Sequence, residues 1–269
     1  MTDTVRTRVF RWSHDNPAIE SADELAAEEP LEIRVGGRPV SVTMRTPGHD
    51  HELTAGFLLT EGLLQVGCRP LLRHERPNVV NAALDHISDA AIASLTRNVF
   101  TSSSCGLCGK GTIESVHLQF PPVLVAEDPS LSPDQLLHLP NQLHEAQSAF
   151  SRTGGLHAAA LFDLSDGLPR MVVAREDIGR HNAVDKVIGH AILCNRLPLE
   201  QHLLLVSGRA SFEILQKALG ARIPIIAAVS APSSLAVEFA NESGQTLVGF
   251  LREGRFNIYS HPERVRQAK

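Results

Sequence analysis

The stretch that decides the fold is residues 203–211, with the sequence Leu-Leu-Leu-Val-Ser-Gly-Arg-Ala-Ser. It begins with an unbroken apolar run, and small and polar residues follow at once. An apolar run without polar alternation is typical of a strand that is buried on both faces of a sheet. The change of character at Ser207 predicts that the strand ends there and that a helix begins near Ser211.

The same pattern of apolar run and helix recurs around this stretch. Buried strands are predicted at residues 156–162, 171–174, 203–206 and 223–229, helices at 180–195, 211–221 and 233–242, and two closing strands at 246–251 and 255–259. Strands that alternate with helices predict an α/β layer whose strands run parallel. We therefore expect a C-terminal α/β domain that spans residues 151–269.

The first 150 residues have a different pattern. Residues 31–35 and 39–44 alternate between apolar and polar side chains, and Gly36-Gly37 between them predicts a β-hairpin. Helices are predicted from Asp50 to about Gly62 and from Ser132 to about Ser151. We expect residues 1–150 to form a smaller α+β part beside the C-terminal domain.

Composition excludes several classes of protein. The 269 residues are 43% hydrophobic and 20% charged, which is ordinary for a soluble globular protein, and the net charge is −5. An acidic chain is not expected to bind nucleic acid or an anionic membrane surface. No apolar stretch is long enough to cross a membrane, and the first residues lack the apolar segment of a secretion signal. These features predict a cytoplasmic protein.

Residues 101–110, Thr-Ser-Ser-Ser-Cys-Gly-Leu-Cys-Gly-Lys, contain the pattern most suggestive of chemistry. Cys105 and Cys108 are two residues apart among serines and glycines, which predicts a tight and accessible turn. A zinc site is the first interpretation, but a structural zinc needs four ligands, and Cys68 and Cys194 are isolated in the sequence. We therefore expect no metal site.

Two further chemistries are open for the cysteine pair. A dithiol redox motif normally places its first cysteine at the start of a helix after a strand, whereas serines precede Cys105. Sulfur transfer through a persulfide needs an accessible thiolate, and Lys110 nearby would favour its negative charge. The residues alone do not decide between these two.

Two polar stretches follow predicted strands in the C-terminal half. Residues 175–186 contain Asp177, Arg180 and Lys186, and residues 207–211 contain Ser207 and Arg209. Ligands of α/β folds bind where strands end and helices begin, and arginine and helix-start amides suit phosphate. Each stretch alone also fits a solvated helix entrance. Because two of them would meet at one crevice, we expect a binding pocket there.

Several motifs taken together resemble the FdhD/NarQ family. They lie at residues 47–53, 56–62, 104–110, 154–157, 177–186, 207–209 and 256–259. The resemblance spans nearly the whole chain. It implies a formate dehydrogenase accessory sulfurtransferase, which takes sulfur from a cysteine desulfurase and passes it to the molybdenum bis-guanine-dinucleotide cofactor of formate dehydrogenase.

The resemblance also assigns residues. Cys105 would carry the persulfide, with Cys108 as its partner. The family's cofactor-binding stretch corresponds to Phe256, Asn257, Ile258, Tyr259, Ser260 and His261. The chemistry of the pocket residues Asp177, Arg180, Lys186, Ser207 and Arg209, more than the resemblance, fits them to the guanine-dinucleotide ends. We expect GDP to bind there as a fragment of the cofactor.

The resemblance further implies a homodimer and a C-terminal layer similar to cytidine deaminases. His157-Ala158-Ala159 lacks the glutamate of the deaminase signature, and no CxxC follows it. The catalytic zinc of a deaminase is therefore not expected. A zinc-stabilised binding protein and a dithiol oxidoreductase are the alternative functions.

Overall fold

The structure, a computed structural model, describes residues 2–14, 16–84, 120–123 and 129–266. Its strands are β1 (Thr4–Ser13), β2 (Asn16–Ala26), β3 (Glu29–Val35), β4 (Arg38–Arg45), β5 (Leu71–Arg76), β6 (Val79–Ala83), β7 (His157–Asp163), β8 (Arg170–Asp177), β9 (His202–Val206), β10 (Ile225–Ala228), β11 (Thr246–Arg252) and β12 (Arg255–Ser260). Its helices are α1 (Asp50–Thr60), α2 (Pro133–Ala146), α3 (Ser148–Thr153), α4 (Arg180–Leu193), α5 (Phe212–Gly220) and α6 (Ser234–Ser243), and a short 3₁₀ helix covers Pro262–Arg264.

The C-terminal half forms a six-stranded sheet in the order β12-β11-β10-β9-β7-β8. The central strands β9, β10 and β11 are parallel, as predicted. The prediction of parallel strands is wrong for β7, β8 and β12, which run antiparallel to their neighbours. Short turns at residues 164–169 and 253–254 join β7 to β8 and β11 to β12, and only an antiparallel pair can be joined by so short a turn.

Strand β9 is buried on both faces, as its apolar run predicts. Leu203 and Leu205 pack on the side of α2, whereas Leu204 and Val206 pack on the side of α4 and α5. Successive side chains of a strand point to opposite faces, so every residue of the run enters one of two cores. The prediction of a mixed α/β protein is confirmed by this arrangement of helices on both faces.

The N-terminal half contributes a four-stranded sheet, ordered β4-β3-β6-β5, and a separate ribbon of β1 and β2. The hairpin predicted at Gly36-Gly37 is confirmed, with both glycines at positive φ. The single helix predicted from Ser132 to Ser151 is instead two helices, because the chain leaves helical geometry at Gln147. Residues 101–110, for which the sequence predicts an accessible cysteine turn, lie outside the described residues.

Helix α1 lies directly across α4, and two glycines make this contact close. A Cβ atom on Gly56 would stand 1.9 Å from the carbonyl oxygen of Asp185, and one on Gly189 would stand 1.7 Å from that of Glu52. The apolar cluster on this side of the sheet includes residues of both halves, from Leu31 on β3 to Leu247 on β11. The domain boundary near residue 150 stays a prediction.

Candidate functional site: a cleft at one edge of the six-stranded sheet

A cleft of about 880 Å³ opens where β9 and β10 end and β7 begins. Because β7 runs antiparallel to β9, its first residue, His157, lies at the same edge of the sheet as Ser207. One wall is formed by the loops after β9 and β10 and by the start of α4. The opposite wall is formed by α2, α3 and the glycine-rich turn before β7.

Three predicted residues, Arg180, Ser207 and Arg209, line this cleft. The loops that follow β8 and β9 therefore meet at one crevice, as the sequence predicts. Ser207 ties this edge together, since its Oγ accepts a hydrogen bond from Ala158 N at 2.9 Å and its own N donates to Ala158 O. The serine is held by the adjacent strand, whereas the two arginines project their side chains into or over the cleft.

The two arginines are available to a ligand. Arg209 is exposed and forms no ion pair with another residue of the described ranges. Arg180 is partly buried, and its Nε is buried without a hydrogen-bond partner within the described part of the chain. A buried donor of this kind costs free energy unless something pairs with it. None of the described residues that line the cleft is acidic, so the cleft suits an anion.

His157 stands beside Arg180 in the cleft. Partial burial and the charge of Arg180 lower the pKa of His157, although Asp177 opposes the shift. At neutral pH its ring is therefore uncharged and can both donate and accept a hydrogen bond. A Cβ atom on Gly208 would lie 3.4 Å from His157 Nδ1, so the glycine leaves the ring open to the cleft.

Asp177 and Lys186, also predicted as pocket residues, do not line the cleft. Lys186 Nζ lies 2.7 Å from Asp177 Oδ2, and both side chains are almost fully buried. Lys186 also donates to the carbonyl oxygens of Thr46 and Glu176, while Asp177 accepts from the amides of Thr46 and Gly179. In this structure the pair fixes the loop before α4 against the N-terminal half and lies outside the lining of the cleft.

Glu176, in the same polar stretch, has a structural contact as well. Its carboxylate accepts hydrogen bonds from the amides of Ala149 at 2.9 Å and Phe150 at 2.7 Å. These amides belong to the first turn of α3, which has no intrahelical acceptors for them. Glu176 therefore holds α3 in place as part of the wall of the cleft.

Of the stretch 256–261, all residues but His261 lie in β12, at the far end of the strand order, and none lines the cleft. Phe256 and Ile258 pack against the core on the α2 side, and Tyr259 packs on the other side. Ser260 is buried, and its Oγ accepts from Leu247 N and donates to Gln245 O. Asn257 is exposed, and His261 lies at the edge of the sheet opposite the cleft.

Sequence reasoning missed the wall made by α2 and α3. His144, Gln147 and Phe150 line the cleft from this side. In the sequence, these residues are marked only by the polar end of the predicted helix. The chain changes direction at Gln147, and the helix that follows is held by hydrogen bonds to Glu176, which is far away in the sequence. A local pattern cannot show such a contact.

Cys105 and Cys108 lie outside the described residues. The described cysteines, Cys68 and Cys194, are both exposed and unbridged. Within residues 2–14, 16–84, 120–123 and 129–266, no group of three histidine, cysteine or acidic side chains is arranged to hold a metal ion. None of the helices in these ranges is long and apolar enough to span a membrane.

Comparison with known proteins connects these features to a family. A curated relative in Mycolicibacterium paratuberculosis, named sulfur carrier protein FdhD, is 51% identical over 98% of this chain and 100% of its own. A relative of the same name in Sulfolobus acidocaldarius is 43% identical over 93% of this chain and 94% of its own.

The fold has a solved counterpart. The crystal structure of a putative formate dehydrogenase accessory protein from Desulfotalea psychrophila superimposes with a TM-score of 0.78 at 24% identity, and covers 98% of this chain and 100% of that one. A sequence model described as the FdhD/NarQ family matches residues 26–266. With this match over most of its length, the chain belongs to the FdhD/NarQ family.

Proposed function

We propose that the protein carries sulfur for the maturation of formate dehydrogenase. Relatives that align over nearly the whole chain are named sulfur carrier proteins, and the solved structure with the same fold is that of a putative formate dehydrogenase accessory protein. The structural observation that carries the proposal is the cleft, because a carrier that sulfurates a cofactor needs a site that holds this cofactor.

Cys105 is the residue that we propose to carry the sulfur. Its thiolate attacks the terminal sulfur of a persulfide on a cysteine desulfurase, the sulfur–sulfur bond of the donor breaks, and the desulfurase cysteine leaves as a thiolate. Cys105 then holds the terminal sulfur as a persulfide. Cys108, two residues away, is proposed as the partner of Cys105 in this step.

The acceptor is proposed to be the molybdenum bis-guanine-dinucleotide cofactor, bound as cargo. Its phosphates are anionic, and Arg180 and Arg209 offer guanidinium groups that pair with phosphate in a forked geometry. Ligand sites of small molecules are commonly about 300–1,000 Å³, and a cleft of about 880 Å³ suits one guanine nucleotide end. GDP is the fragment that we expect to bind there.

The remaining features of the proposal rest on the family resemblance. Residues 256–261 would contact a further part of the cofactor. The roles of His157 and Ser207 rest instead on their place in the cleft, where they would supply neutral hydrogen bonds. The order of the six strands, with helices on both faces, supports a layer similar to cytidine deaminases. We also propose a homodimer in the cytoplasm, which meets a cysteine desulfurase and formate dehydrogenase in turn.

Replacement of the sulfur-carrying thiol tests the function. In cells that lack the native gene, Cys105→Ala is expected to abolish formate dehydrogenase activity, whereas Cys68→Ala, which removes an exposed thiol elsewhere, is expected to leave it intact. Full activity with Cys105→Ala would overturn the assignment.

Metal analysis and detection of a disulfide test the two alternative functions. Stoichiometric zinc that is lost with Cys108→Ala would favour a zinc-stabilised binding protein. A Cys105–Cys108 disulfide that forms and is reduced during turnover would favour a dithiol oxidoreductase.

A further inference from the structure

Cys194 belongs to a second cluster of reactive side chains, at the end of α4 that is remote from the cleft. Its exposed Sγ lies 3.6 Å from Nε2 of His190, one helical turn back. Nδ1 of the same ring lies 3.0 Å from Oε1 of Glu52 on α1. A thiol, a base and a carboxylate that orients the base are therefore in line, which is the arrangement that activates nucleophiles in enzymes.

The partners of Glu52 decide which nitrogen of His190 carries the proton. Burial opposes ionisation of Glu52, but hydrogen bonds from Arg175 and His190 outweigh it and lower the pKa of this carboxyl. Arg175 donates from Nε and Nη2 at 2.6 and 2.8 Å. A carboxylate only accepts hydrogen bonds, so His190 donates from Nδ1 and turns the lone pair of Nε2 toward Cys194.

Cys194 is the C-cap residue of α4, one turn after His190, so the helix geometry holds the thiol beside the ring. Cys68 provides the contrast, because it is exposed in the turn after α1 and its Sγ contacts no histidine of the described ranges.

We propose that Cys194 is a second persulfide-forming site, with His190 as general base and Glu52 as its positioning residue. His190 takes the proton of Cys194, and the thiolate attacks the terminal sulfur of a donor persulfide, R–S–S–H. A new sulfur–sulfur bond forms on Cys194 while the donor bond breaks, and the leaving R–S⁻ takes the proton from His190. The exchange is balanced and needs no oxidant or reductant.

The terminal sulfur has two candidate sources, a cysteine desulfurase and the Cys105 persulfide of this protein. The inference does not depend on the proposed role of Cys105, so its test begins without that residue. The full-length Cys105→Ser/Cys108→Ser protein is treated with glutathione persulfide, and the sulfur added to each cysteine peptide is followed by mass spectrometry with time.

We expect Cys194 to gain sulfur at least about tenfold faster than Cys68, because an unassisted thiol is only a few per cent ionised at neutral pH. His190→Gln and Glu52→Gln should each slow Cys194 toward the rate of Cys68 and leave Cys68 unchanged. Equal rates at the two cysteines, or no effect of His190→Gln, would overturn the proposal.

Rescue by a small base separates catalysis from a structural effect. In His190→Ala, added imidazole reaches the exposed thiol and should restore much of the lost rate at Cys194, with no change at Cys68. Failure of this rescue in a variant that melts like the parent would contradict the role of His190 as base.

Desulfurase and cysteine as donor then identify the source. Labelling of Cys194 only when Cys105 is present supports passage from Cys105, and labelling without Cys105 supports direct transfer from the desulfurase.

Discussion

Arg180 and Lys186 lie on the same helix, and they meet opposite surroundings. Arg180 faces the cleft with a buried Nε that lacks a partner within the described ranges, while Lys186 is 1% exposed and lies 2.7 Å from Asp177. Both belong to the polar stretch at 175–186, all of which the sequence analysis predicts to lie in a single binding pocket. The partner of each charged group decides its role. A charged group without a partner among the described residues, such as the Arg180 Nε, indicates a ligand site more strongly than a paired one such as Lys186.

Two buried ion pairs, Lys186 with Asp177 and Lys217 with Asp185, lie along α4 where it meets the N-terminal half, and we call them the buried seam. Lys217 Nζ lies 2.8 Å from Asp185 Oδ2 and 2.9 Å from Thr60 Oγ1. Burial lowers the pKa of Lys217, but the carboxylates of Asp185 and Glu61 outweigh it and raise the pKa above its usual value. Both lysines thus pair with a buried aspartate, whereas none of the described residues that line the cleft of the two arginines is acidic.

The largest effect is expected when one partner of the seam is removed. Lys186→Met leaves Asp177 buried and uncompensated, and an unpaired buried charge costs about 3–5 kcal/mol. Urea unfolding followed by circular dichroism measures the loss. Arg180→Met is the control on the same helix, and it should change the free energy of unfolding by no more than about 0.5 kcal/mol. Similar losses in the two variants would erase the distinction between seam and cleft.

The reverse pattern is expected for ligand affinity. A charged hydrogen bond is worth about 1.5–3 kcal/mol, so Arg180→Ala or Arg209→Ala should weaken GDP binding by about tenfold or more. Isothermal titration measures the change. Arg170→Ala, an exposed arginine at the other edge of the sheet, is the control and should bind as the wild type does. Unchanged GDP affinity in both cleft variants would show that GDP does not bind in this cleft.

A smaller loss is expected where α1 crosses α4. Gly189→Ala places a Cβ atom 1.7 Å from the carbonyl oxygen of Glu52, so the helices must move apart. Such overpacking costs about 1–3 kcal/mol. In the control variant Gly155→Ala, the new Cβ atom would lie 3.8 Å from Ala26 Cβ, which is an ordinary van der Waals distance, so the thermal midpoint should be unchanged. Equal midpoints for the two variants would contradict the close contact.

An effect that appears only on acidification is expected at His181, next to Arg180 in the sequence. Burial and the charges of Arg180 and Lys217 lower its pKa from 6.5 to about 4. The unfolded chain therefore binds a proton on His181 below pH 6.5 that the folded protein does not, and stability falls toward pH 4, by at most about 1.4 kcal/mol per pH unit.

Removing this histidine should remove its share of the pH dependence. The slope of unfolding free energy against pH is expected to be shallower in His181→Gln than in the wild type between pH 6.5 and 4, because the unfolded variant no longer takes up that proton. The difference between the two proteins should be constant above this window. Parallel slopes within it would show that His181 is protonated equally in both states.

Features that depend on neighbouring residues can be predicted from the sequence, whereas features that depend on contacts between distant residues cannot. The apolar run 203–206 fixes a buried strand by itself, and the polar residues after it place Ser207 and Arg209 at a cleft. The antiparallel pairing of β7 with β8 follows from the short turn between them, whereas its antiparallel pairing with β9 joins residues that are far apart in the sequence.

The burial of Lys186 could not be predicted, because it depends on Thr46, which is far away in the sequence. The bend at Gln147 likewise depends on Glu176. An isolated polar motif shows where charges are, and the fold decides which of them are neutralised. The proposed role of Cys105 rests on the family resemblance, because its spacing to Cys108 leaves two chemistries open.

Localisation of the transferred sulfur tests the central claim most directly. The full-length protein is incubated with a cysteine desulfurase and cysteine, and its peptides are analysed by mass spectrometry without reducing agent. One additional sulfur is expected on the peptide that contains Cys105, and Cys105→Ser should abolish it there. If that peptide remains unmodified while the desulfurase is charged with sulfur, the protein does not carry sulfur on Cys105, and the account of its function is contradicted.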